Sequence, residues 1–311
     1  MTLCRLSQGP ANPDNAGMCS HELQNYYDRN TAPFLRIGSS AGGHAIHRGL
    51  WATGVRNGRE AAEHVNTLLA ERIRACASGP PRLLLDLGCG VGGTMFSLAR
   101  AFPRARLHGV TISAKQVTLA RELAQSQGLQ ARCRFSRANF EELSLQLRAD
   151  AIVAVESFVH VSRPERFLAT CRRHLAPGGV VLIVDDFLDH PVPPGAHAMQ
   201  RTIDRFRDGW RVPGLCTLET LDAVAVKSGF RRLYAHDLSP LIRTHRPRDR
   251  LVALVSPPVR LLGLTRHPFW ANVVGGHALN RAIREGWIRY RLLTLGRRDT
   301  GPGGPGRMPE A

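Results

Sequence analysis

The chain has 311 residues, 43% of them apolar and a formal net charge of +17, enough for one large domain, or a domain with a cap, built on a real core. No run reaches the roughly 18 to 20 apolar residues of a membrane span, and residues 1–20 lack the basic-then-apolar layout of a secretory signal, so no membrane span and a cytoplasmic location are expected. The charge raises nucleic acid as a partner, but lysine occurs only at Lys115 and Lys227 and no RNA-binding motif, N/D-P-P-Y segment or Pro-Cys pair is present, so none is expected.

In chain order, residues 1–20 are polar and dotted with glycine and proline, and are expected to be disordered. Residues 21–79 read as a helical lid: a helix within "HELQNYYDRNTAPFLRIG", a loop, then "GREAAEHVNTLLAERIRACA", where Ala62, Val65, Leu69 and Ile73 recur at helical spacing. "SGPP" at 78–81 closes it. The main domain, 80–295, then alternates strand and helix. "RLLLDLG", "ARLHGVTI", "ARCRFSRANF", "AIVAVES", "VVLIVDDF", "RRLYAHDL" and "WIRYRLLTLG" read as strands. "GGTMFSLARAF", "SAKQVTLARELAQSQG", "PERFLATCRRHLAPGG" and "LETLDAVAVKSGF" read as helices, with Ser113 and Gly128 as the caps of the second. Strands without polar alternation are buried on both faces, which predicts a Rossmann-like, mostly parallel seven-stranded α/β sheet covered by helices. Residues 188–216 and 239–285 break the rhythm and read as cap insertions over the ligand-binding edge. The tail 296–311 reads as disordered. Seven cysteines without a C-x-x-C pair suggest free thiols in a reducing compartment.

"DLGCGVGG" follows the first strand and opens a helix. Gly88, Gly90 and Gly93 fit a dinucleotide fingerprint, but that site wants an acid at the end of the second strand, and no Asp or Glu occurs between Asp86 and Glu122. Arg104 or Arg106 against a 2′-phosphate would be needed to keep that reading. The competing pattern, D-x-G-x-G-x-G, is met by Asp86, Gly88, Gly90 and Gly92. It resembles motif I of the class I S-adenosylmethionine-dependent methyltransferases, where glycines admit the backbone to the cofactor's amino-acid end. "LHGVTISAKQ" further resembles the subgroup of tocopherol, sterol and prenyl-diphosphate C-methyltransferases and cyclopropane fatty acid synthases, as do "YYD" at 26–28 and "HRGLW" at 47–51. That resemblance implies S-adenosylmethionine as cofactor, with Thr111, Ile112 and Gln116 along the nucleoside, Asn139 accepting from the adenine amino group and Phe140 covering the ring. It covers about residues 25–185 and is weak in the caps, which choose the substrate.

Attack by an alkene on a sulfonium methyl leaves a carbocation, which needs π-faces beside it and a base. Glu156, at the end of the fourth strand, is the first candidate base and His160 the second. Tyr26, Tyr27, Trp51, Phe158, Phe206 and Trp210 are candidate ring faces, with Tyr27 the one placed at the reacting centre. Arg201 and Arg205, one helical turn apart, and Arg211 could clamp a diphosphate. The expected acceptor is a small lipophilic or diphosphate molecule, an isoprenoid of specialised metabolism, with oxygen or nitrogen of a natural product as the alternative. No protein-bound metal is expected, since His44 and His47 lack carboxylate partners; Mg2+ could accompany a diphosphate. A homo-oligomer stays open.

Overall fold

The computed structural model describes residues 47–76, 79–244 and 267–298, with a few positions between 252 and 264. Tyr26, Tyr27, Asp28 and His44, the predicted first helix, the N-terminal stretch, the tail from residue 299 and most of residues 245–266 lie outside the described residues.

The aliphatic runs become strands β1 (Leu83–Leu87), β2 (Arg106–Thr111), β3 (Cys133–Arg137), β4 (Ala149–Val155) and β5 (Leu175–Leu188), followed by β6 (Phe230–Asp237) and β7 (Ile288–Arg297). They form one sheet of order β3-β2-β1-β4-β5-β7-β6. The first five run parallel, and β7 lies antiparallel between β5 and β6. Helices α1 (Gly58–Cys76), α2 (Gly93–Ala101), α3 (Ala114–Ser126), α4 (Pro164–His174), α5 (His197–Trp210), α6 (Leu218–Lys227) and α7 (Pro268–Arg284) make the connections and caps.

Successive residues of a strand face opposite sides of the sheet, so both faces of β1 must be covered. Leu84 packs with Met95, Phe96, Val117 and Phe135 on one face, while Leu85 and Leu87 pack with Ile152, Phe167 and Leu293 on the other. Truncating a leucine so enclosed costs about 2–5 kcal/mol.

Two boundaries differ from the sequence reading for identifiable reasons. The helix expected to run to Gly179 stops at His174, and the chain passes directly into β5 at Leu175. Pro177 has no N–H for a further helical turn, and the His174 ring instead accepts the Leu145 N–H at 3.0 Å. The third strand is short because Asn139 turns the chain, accepting the Glu141 N–H at 3.0 Å. Ser113 caps α3 as its spacing predicts, accepting the Gln116 N–H at 3.1 Å.

Helices α5 and α7, which fall within residues 188–216 and 239–285, pack against each other. Gly209 and Gly275 let the two backbones approach so closely that a Cβ on either would collide with the opposing helix. The Trp210 indole N–H donates across this seam to the Asn272 carbonyl at 3.1 Å.

Candidate active site

The site is built where β1, β2 and β4 end side by side. Asp86 of β1 is buried, and neither a hydrogen-bond donor nor a cation meets its carboxylate among the described residues. Burial alone pushes its pKa up to about 7. The chain then turns through Gly88, Gly90 and Gly92, all with positive φ. At Gly88 the demand is double: φ is +93°, and a Cβ would collide with Ser157. The Ser157 hydroxyl in turn donates to the Leu87 carbonyl at 2.6 Å, tying the loop after β4 to the loop after β1.

The segment after β2 is braced internally. The Thr111 hydroxyl donates to Gln116 Oε1 at 2.6 Å and accepts the Ser113 N–H at 3.3 Å, and Thr111, Ser113 and Gln116 are all buried. Ile112 stands between them half-buried. Phe140 is half-buried, its ring edge-on to Phe167 with centroids 5.9 Å apart, and it is among the nearest atoms to Gly88. Asp86 at the end of β1, the glycine turn, Ile112, Asn139 and Phe140 thus gather at one edge of the sheet.

Glu156 occupies the turn after β4 with φ +48°, a left-handed conformation that costs a non-glycine residue of order 1–3 kcal/mol. Its Oε1 accepts three donors: the Arg48 backbone N–H at 2.9 Å, Arg48 Nε at 3.0 Å and the Tyr290 hydroxyl at 3.0 Å. Among the described residues no donor meets Oε2. Burial pushes the Glu156 carboxyl up, but Arg48 and His47 together outweigh it and hold its pKa below the usual value. Arg48 also forks onto Asp186, Nη1 to Oδ1 at 2.9 Å and Nη2 to Oδ2 at 2.6 Å. Neighbouring Asp185 accepts the Val159 and Asp186 N–H groups at 3.0 and 2.9 Å. Burial, with Asp186 beside it, holds the Asp185 carboxyl well above the ordinary range.

Residues 47–51 reach this point along a fixed path. Leu50 N–H donates to the Ala61 carbonyl at 2.8 Å and Trp51 N–H to the Leu241 carbonyl at 2.7 Å, while Gly49 leaves no room for a Cβ beside Ala61. The Trp51 ring lies 3.5 Å from the Arg243 guanidinium carbon. His160 Nδ1 contacts the Arg211 carbonyl at 3.0 Å, and burial lowers its pKa below the usual histidine value although Glu156 acts to raise it.

The other predicted residues are dispersed. Phe158 and Phe206 are core residues, not cation-facing rings: Phe158 packs between Phe167 and Phe187, and Phe206 lies under Trp210. Trp210 is engaged in the seam of the two cap helices. On α5, Arg201 is exposed and Arg205 half-buried. Three participants escaped the sequence reading, namely Arg48, Asp186 and Tyr290. Two acids inside the otherwise apolar "VVLIVDDF" were the available signal, since a buried acid needs a partner.

A family profile described as a methyltransferase domain matches residues 84–179, the stretch that carries the glycine turn, the β2 segment and Glu156. The chain is a class I S-adenosylmethionine-dependent methyltransferase. Methyltransferase GfsG of Streptomyces halstedii is 29% identical over 253 residues, 77% of this methyltransferase and 84% of the relative. Ajmaline N-methyltransferase of Rauvolfia serpentina is 24% identical over 227 residues, 69% and 75% of the two chains. The same fold occurs in geranyl diphosphate C-methyltransferase from Streptomyces coelicolor A3(2), with a TM-score of 0.64 at 17% identity over 92% of this chain and 100% of that one.

The residues present fit the cofactor. A buried acid without a countercharge, next to a turn open to backbone approach, is a site for an ammonium group such as the cofactor's amino-acid end carries. Among the described residues no helix is long and apolar enough to cross a membrane, and no group of His, Cys, Asp and Glu could hold a metal ion.

Proposed function

We propose that this methyltransferase acts on carbon, methylating an alkene of an isoprenoid or prenyl diphosphate, with Glu156 as the base that takes the departing proton. S-adenosylmethionine, when bound, supplies an electrophilic methyl group on a sulfonium. Asp86 receives the cofactor's ammonium, and Gly88, Gly90 and Gly92 let the backbone approach its amino-acid end. Ile112 and Phe140 line the nucleoside, Asn139 accepts from the adenine amino group, and the Thr111–Gln116 pair fixes the shape of that wall.

The observation that carries the reading is the state of Glu156. An ionised carboxylate in a strained turn at the carboxyl edge of the sheet, held by one oxygen, is a proton acceptor ready at neutral pH. An alkene acceptor needs such a group once the new carbon–carbon bond leaves a cation. Trp51, with Tyr26 and Tyr27, supplies ring faces for that cation. Arg201 and Arg205 on α5 meet a diphosphate, and Mg2+ accompanies it as the substrate's counterion. Trp210 shapes the cap through the α5–α7 seam. His160, neutral and turned to Arg211, supports the turn after Glu156.

Methylation of nitrogen or oxygen on a natural product is the second reading, favoured by relatives such as ajmaline N-methyltransferase. Methyl-labelled S-adenosylmethionine, offered with prenyl diphosphates, terpenoids, phenols and amines, separates the two when NMR locates the label. Label on an alkene carbon is expected; label solely on oxygen or nitrogen overturns the reading.

A further inference from the structure

Glu156 is surrounded by charged or titratable groups from four elements. His47 and Arg48 come from the N-terminal segment, His160 from its own turn, Asp185 and Asp186 from β5, and Tyr290 from β7. The β5–β7 register sets Asp186 directly opposite Tyr290, so both side chains share one face of the sheet. Arg48 lies across that pair. Its Nη atoms take Asp186, its plane covers the Tyr290 ring at 4.2 Å, and its Nε edge is left for Glu156. Tyr290 is itself fixed, fully buried with its backbone N–H donated to Ser239 Oγ at 2.8 Å. Its hydroxyl then has one direction in which to donate, toward Glu156.

All three donors converge on Oε1. A carboxylate oxygen has two lone pairs, so an oxygen already accepting three N–H or O–H groups is a poor site for a further proton. We propose that Arg48 and Tyr290 are positioning residues that hold Glu156 by Oε1 and so make Oε2 the atom that accepts the proton. This rests on the reading of Glu156 as the base. In the step, the acceptor's C–H bond breaks, its electron pair closes the alkene, and the proton forms an O–H bond at Oε2. Arg48 suits the task because a planar fork satisfies two carboxylates at once, which a lysine ammonium cannot do in the same geometry. Asp186 orients Arg48 and acts one step further away.

The test uses full-length protein with S-adenosylhomocysteine bound and glutamate labelled with 13C at Cδ. The Glu156→Gln spectrum identifies the Glu156 signal, and its titration is followed in each variant. Loss of an opposite charge at this distance raises a carboxyl pKa by about 1–3 units, so Arg48→Gln is expected to move the Glu156 titration up by that amount. Tyr290→Phe, which keeps the ring under the guanidinium, moves it up less. Arg48→Lys falls between Arg48→Gln and the parent. Glu156 titrating as in the parent in Arg48→Gln, with unchanged S-adenosylhomocysteine affinity, overturns the proposal. Should Arg48→Gln fail to fold, Tyr290→Phe decides: an unmoved titration overturns it there too. Full turnover by Glu156→Gln would remove the base reading instead, whatever the titrations show.

Discussion

Asp86 and Glu156 lie near the carboxyl ends of adjacent strands, and their surroundings differ in one respect. Both are carboxylates in desolvated positions, but Asp86 has no cation beside it and is pushed up to about 7, whereas Glu156 has Arg48 and is held low. A protein rarely leaves a buried acid without a partner, and under the proposed function Asp86 finds one in the cofactor's ammonium. The filled place beside Glu156 marks a group kept ionised before any ligand arrives. On the proposed function, one acid receives the donor's charge and the other takes the proton.

The largest effect that would break this contrast is on turnover. Glu156→Gln is expected to lower kcat by about 10²–10⁴-fold, the usual worth of a positioned base, with S-adenosylhomocysteine affinity nearly unchanged by calorimetry. Equal losses in both would merge the two acids into one binding site. Asp86→Asn is expected to do the opposite, weakening S-adenosylhomocysteine binding by about 10–100-fold, as for loss of a hydrogen bond to a charged group.

The pH dependence sharpens the same point. With a pKa near 7 in the ligand-free protein, Asp86 is largely protonated at pH 6 and must ionise to meet an ammonium. Ligand binding at that pH should therefore release up to about one proton, falling toward none at pH 8.5, as measured by titration calorimetry in buffers of different ionisation enthalpy. The folded-state pKa also lies above the unfolded value of 3.8, so this group's contribution to ligand-free stability is full below about pH 4 and is lost as pH rises toward 7. Asp86→Asn should accordingly stabilise the ligand-free protein at pH 8, by on the order of 4 kcal/mol from the size of the shift, in chemical denaturation. The smallest effect is expected at the seam between α5 and α7. Trp210→Phe removes one cap hydrogen bond, worth about 1 kcal/mol, and should lower Tm slightly while leaving cofactor affinity intact.

The two halves of the site also differed in how far they could be read from the residues. Asp86 with the glycine turn, and the "GVTIS" segment, are each continuous stretches of chain, so their geometry follows from local structure, and the strands and the Ser113 cap followed the same way. The group around Glu156 joins positions 48, 156, 186 and 290, which only the sheet register and the path of residues 47–51 bring together. Arg48 sits between His47 and Gly49, in a motif whose aromatic and glycine positions drew attention first. Phe158 and Phe206 could be read as ring faces or, more readily, as core, because an aromatic near a predicted site carries no mark of which way it faces; both fill the core. Gln116, read as lining the nucleoside, accepts the Thr111 hydroxyl with its carbonyl oxygen, a pairing within one segment that the residues alone did not indicate.

The contact between Gly88 and Ser157 has a consequence for how enzymes of this kind can diverge. Donor loop and base loop touch there with no room for a methyl group, and a hydroxyl-to-carbonyl bond stitches them together. The spacing between the turn after β1 and the turn after β4 that carries Glu156 is therefore a fixed dimension of the scaffold, and under the proposed function it sets the gap between methyl donor and base. A descendant that takes a new acceptor must reshape its caps around that gap, because the gap itself is closed to gradual change.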